Sequence, residues 1–88
     1  MTNETRKYYI DFKFECYEDD LNRSLTYYKE HKDEMSFIQY MHWCEKAREG
    51  VVEITSYAYL IDVITLEEKE EYWERAYDIC HKFIYEQI

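Results

Sequence analysis

YIDFKFECY, Tyr9 to Tyr17, satisfies two folds at once. In steps of two, Ile10, Phe12, Phe14 and Cys16 alternate with Asp11, Lys13 and Glu15, the pattern of a half-buried strand. In steps of three and four, Ile10, Phe14, Tyr17, Leu21, Leu25 and Tyr28 form a stripe along about five helical turns. The longer pattern decides, because a strand needs a partner and no second strand bounded by turn residues follows it. The chain has no proline and one glycine, Gly50, so the turns that sheets lean on are scarce. One helix over residues 4–31 is therefore predicted. An α+β fold with an N-terminal strand at 8–16 is the alternative.

The next boundaries are read from capping chemistry. Thr65 with Glu68 three residues later is a capping-box pattern, and Glu67, Glu68, Glu70 and Glu71 suit the positive end of a helix. Asp62 stands where a left-handed residue ends a helix, with Val63 and Ile64 free to fold back on the preceding turn. A helix over 66–87 then places Leu66, Tyr72, Trp73, Ala76, Ile79, Cys80, Phe83 and Ile84 on one arc.

Between these segments, a helix over 34–61, capped by Asp33 or Ser36, has a wider arc. Phe37, Met41, Cys44, Val51, Ile54 and Ala58 form its centre, with Tyr40, Trp43, Ala47 and Ile61 on one shoulder. That width suits a central helix with two neighbours. Gly50 falls inside the arc, where it marks a close approach or a kink, since a mid-helix glycine costs about 1 kcal/mol relative to alanine. The prediction is an all-α, up-down-up bundle of three antiparallel helices in a single domain, residues 1–88, that self-associates.

Charge and cysteine usage narrow the function. Eleven basic against twenty acidic residues leave a formal charge of −9. That opposes direct binding to nucleic acid, where Lys and Arg on phosphates supply most of the affinity, and opposes docking on anionic lipid. No apolar run reaches the ~20 residues of a membrane span, and MTNETRK has no apolar h-region. A cytoplasmic protein is expected. Cys16, Cys44 and Cys80 are odd in number and far apart, which reads as free thiols rather than a disulfide framework or a zinc site.

QYMHWCE, residues 39–45, looks like a reactive cluster until it is wound into a helix. His42 and Cys44 then lie about 200° apart, Cys44 inward and His42 outward. Asp78 and His81 have the i, i+3 spacing of carboxylate-bundle metal ligands, but the nearest second copy is Gln39 with His42, and glutamine is a poor ligand there. With no phosphate loop, nucleophile elbow or H-E-x-x-H motif, a non-enzyme without metal or cofactor is expected.

Two surface features remain. Tyr8, Tyr9, Phe12, Tyr27, Tyr59 and Tyr85 fit poorly inside the arcs, and exposed aromatics are enriched at protein interfaces. They suggest a protein–protein interaction module, with a homodimer as the first partner. Glu67, Glu71, Glu74 and Asp78 form an acidic row on the last helix, a second one running through Glu45, Glu49 and Glu53. Carboxylates so spaced imitate a nucleic-acid backbone in outline, and the partner is then a basic groove of a nucleic-acid enzyme. Lys46, Lys69, Arg75 and Lys82 interrupt or flank these rows.

Overall fold

A computed structural model describes residues 3–87. Helix α1 runs Asn3–Glu30, α2 Phe37–Leu60 and α3 Leu66–His81, which a π-helical turn, Lys82–Glu86, prolongs. Residues 8–16 are helical throughout, so the strand alternative is overturned. The stripe of Ile10, Phe14, Tyr17, Leu21 and Leu25 that favoured the helix is buried, and Tyr28 packs on its edge. The three helices pack against each other as an all-α bundle, elongated to 47 × 20 × 17 Å.

The helix ends follow their local chemistry. Ser36, not Asp33, caps α2: the Gln39 N–H donates to Ser36 Oγ (3.2 Å) and the Ser36 N–H to Gln39 Oε1 (2.9 Å). Thr65 and Glu68 form the same box on α3, at 3.1 and 3.0 Å. Between α2 and α3, Asp62 adopts φ 60°, which a short polar side chain tolerates. Its N–H bonds to the Tyr59 carbonyl and that of Val63 to Ala58, the paired bonds of a Schellman turn, and Val63 and Ile64 are folded into the core.

Hydroxyl groups tie the layers together. Tyr17 of α1 donates to the Ala76 carbonyl of α3 at 2.7 Å. Tyr40 of α2 donates to the Phe83 carbonyl at 2.8 Å. The π turn frees that acceptor, because the Gln87 N–H bonds to Lys82 instead. Thr55, the one buried residue of polar type among the described residues, donates to the Val52 carbonyl and accepts from the Trp73 indole N–H at 3.0 Å. Each such bond lets a polar tip enter an apolar core without the cost of an unpaired group.

The packing departs from the arc drawn for α2. Tyr40, placed on its shoulder, is fully buried, whereas Phe37, placed at its centre, is 38% exposed. Leu66 also lies outside the core. Gly50 marks no close approach among the described residues: α2 runs unbroken through it, and a Cβ built there meets nothing within 4 Å.

Candidate functional site

Helix α3 covers one side of the hairpin made by α1 and α2. On α1 it engages Lys7 (Glu68, 2.9 Å), Asp11 (Tyr72 hydroxyl, 3.3 Å), Phe14 (stacked on Tyr72) and Glu18 (Arg75, 4.0 Å). On α2 it engages Thr55 and Tyr59, whose ring lies 4.6 Å from the Lys69 ammonium. None of these residues lines a groove of about 940 Å³ between the N-terminal half of α1 and the C-terminal half of α2. Thr5, Arg6, Tyr8, Tyr9, Ile10 and Phe12 form one wall, and Glu53, Ile54, Tyr57, Ala58, Ile61 and Val63 the other. The groove thus opens on the side of the hairpin turned away from α3.

This face has a regular origin in α2. Trp43, Ala47, Gly50, Ile54, Tyr57 and Ile61 are spaced 4-3-4-3-4, the repeat of a helix-pairing stripe. It runs beside the stripe of Tyr40, Cys44, Val51, Thr55 and Ala58 that fills the chain's own core. Tyr57 of the outer stripe is 65% exposed, with Tyr8 at 74% across the groove and Leu60 at 75% beside it.

The six aromatics singled out from the sequence do not form one patch. Tyr8, Tyr9 and Phe12 share the groove. Tyr27 lies toward the other end of the hairpin, stacked on His31 at 4.0 Å and 5.6 Å from Trp43. Tyr59 is half-buried on the α3 side, with its ring under Lys69. Tyr85 stands exposed beside His81 on the π turn. Tyr57 and Leu60 belong neither to the core arc drawn for α2 nor to the six spare aromatics, and the sequence reading passed over both. The signal that finds Tyr57 is the second heptad repeat.

The acidic row Glu67, Glu71, Glu74 and Asp78 is exposed along α3, and none of the four takes an ion pair among the described residues. Two cations expected to interrupt it turn elsewhere. Lys69 lies over the Tyr59 and Trp73 rings, and Arg75 reaches toward Asp11 and Glu18 with its guanidinium 4.6 Å from the Phe14 ring.

The HWC cluster divides as its helical angles require. His42 is exposed, Trp43 is 44% exposed and Cys44 is fully buried. Burial pushes the Cys44 thiol up to about 11, and burial also raises Cys80, Tyr17 and Tyr40 above their ordinary ranges. A thiol held protonated is a poor nucleophile and a poor metal ligand. Among the described residues no three His, Cys, Asp or Glu side chains converge to hold a metal ion, and no helix is long and apolar enough to cross a membrane. Comparison of the chain with protein families, with curated proteins and with solved structures finds no match.

Proposed function

We propose that this protein is a non-enzymatic interaction module that takes up an apolar helix on the open face of its α1–α2 hairpin. The groove between Tyr8, Tyr9 and Phe12 on one wall and Ile54, Tyr57 and Ile61 on the other carries this reading. Its size lies in the range of binding clefts, and its aromatic walls resemble the core of a protein interface more than a solvated surface. A helix-in-groove mode suits it, with anchors repeating every three or four residues. A second copy of the chain is one such partner, and a homodimer belongs to this reading.

The test is capture of partners by the tagged chain at low and at high salt. Binding that survives high salt and is lost on combining Tyr8→Ser, Tyr9→Ser and Tyr57→Ser supports the module. Tyr85→Ser, outside the groove, is the control. Binding indifferent to all of these contradicts it.

The turning of Lys69 and Arg75 away from the α3 row favours a second reading, imitation of a nucleic-acid backbone toward a basic protein groove. Its mark is affinity that falls steeply with salt and disappears with Glu71→Lys, Glu74→Lys and Asp78→Lys.

A further inference from the structure

We infer that the open face is covered by a second copy of this chain, with the two α2 helices antiparallel about a two-fold axis between Ala47 and Gly50. This rests on the docking-module reading and names its occupant and register. The 4-3-4-3-4 repeat is what a pairing helix requires, and an antiparallel pair places the outer positions of one heptad against the inner positions of the other. In this register Ala47 faces Gly50 of the partner subunit, and Trp43 faces Ile54 of the partner subunit. The smallest pair then sits at the crossing point, where backbones come closest, with the bulky pairs on either side.

The arrangement gives Gly50 a purpose that the single chain lacks. A glycine inside an exposed helix lowers helix propensity, and here the space beside it is open. A partner helix fills that space.

Charge fixes the register. Lys46 and Glu53 flank the same edge of the stripe one heptad apart, both exposed, and neither takes an ion pair among the described residues. With Ala47 opposite Gly50, Lys46 comes to the partner's Glu53, and two-fold symmetry makes the same pair twice. A slide of one heptad brings Glu53 against the partner's Glu53 instead. The axis also falls at the middle of α2, Phe37–Leu60, so the two helices overlap along their whole length. Chains of charge −9 repel on most approaches. The groove wall, whose charged residues are Arg6 and Glu53, is balanced in sign, whereas the acidic row of α3 faces the other way.

Sedimentation equilibrium of the full chain, in four versions, tests this. The wild type is expected at twice its 11.1 kDa, Lys46→Glu and Glu53→Lys each at about tenfold weaker association, and the double exchange back at wild-type strength. Gly50→Gln, harmless to helix α2, is expected to be monomeric with unchanged circular dichroism. A wild type at 11.1 kDa at every concentration overturns the inference, as does a dimer equally strong in all versions or a double exchange that restores nothing. A monomer whose partner capture still fails on Tyr9→Ser and Tyr57→Ser overturns the second copy alone and leaves the docking module standing.

Discussion

Helix α2 carries two stripes of the same seven-residue period with opposite fates. The inner one, Tyr40, Cys44, Val51, Thr55 and Ala58, is buried by α1, α3 and the π turn. The outer one, Trp43, Ala47, Gly50, Ile54, Tyr57 and Ile61, faces the open groove or solvent over much of its length. Composition does not separate them, since the inner stripe holds a tyrosine and a threonine and the outer one a tryptophan and two isoleucines. What separates them is partners for polar tips. The Tyr40 hydroxyl reaches the Phe83 carbonyl and Thr55 receives the Trp73 indole, whereas Tyr57 has no hydrogen bond to another part of the chain among the described residues. A helix can be amphipathic twice, and here the second face stays exposed over much of its length.

The contrast is broken most severely from the inside. Tyr40→Ala is expected to cost about 3–5 kcal/mol by urea unfolding, the range for deleting a buried aromatic ring. Tyr57→Ala on the outer stripe is expected to stay within about 0.5 kcal/mol in dilute solution. A comparable loss at both positions contradicts the division.

The hydroxyl alone sharpens it further. Tyr40→Phe keeps the ring but strands the Phe83 carbonyl, with an expected loss of about 1–2 kcal/mol. Tyr17→Phe, which strands one bond to Ala76, is expected to follow it.

In pH the inner stripe has its own signature. Burial raises the Cys44 thiol from 9.0 to about 11 in the folded chain. The unfolded chain therefore loses this proton first, and its stabilising effect, full below pH 9, is lost as pH rises toward 11. Buried Tyr17 and Tyr40, also raised, extend the loss to higher pH. Thermal unfolding across this window is expected to show falling stability, with a shallower fall in Cys44→Ala. Equal slopes in the two proteins contradict the assignment to Cys44.

The smallest expected effect is a gain. Gly50→Ala adds a methyl group in open space and improves helix propensity, raising the stability of the dilute chain by about 0.5–1 kcal/mol. A loss instead shows that the glycine is needed within the single chain.

Much of this fold is legible in the residues because its ends are written in local chemistry. Thr65 with Glu68, and Asp62 before two apolar residues, mark boundaries that depend on neighbours three or four positions away, while the start of α2 is legible only as Asp33 or Ser36. The helical reading of YIDFKFECY is legible for a different reason: its three- and four-residue stripe continues to Tyr28, beyond any ordinary strand. Angles around a helix axis do not say where its neighbours stand, so Phe37 and Tyr40 exchanged places between centre and shoulder. The burial of Thr55 depends on Trp73, eighteen residues away, and the π turn on a hydroxyl of α2.

For the candidate surface, Tyr8, Tyr9 and Phe12 stand out as aromatics that do not fit a core. Tyr59 stands out equally, yet it is half-buried on the α3 side, because Lys69 supplies a charged cover that no spacing rule announces. The wide arc of α2 does meet two neighbours, α1 and α3, and most of the second stripe overlaps it, which hid the repeat that continues through Tyr57.

Placing a thiol at the centre of the outer stripe bears most directly on the claim that α2 has two pairing faces. An equimolar mixture of Ala47→Cys and Gly50→Cys chains, mildly oxidised and run beside Glu71→Cys on α3, is expected to give a covalent dimer, while the α3 variant remains at single-chain mass. No cross-link between positions 47 and 50, or one of equal yield at position 71, contradicts it.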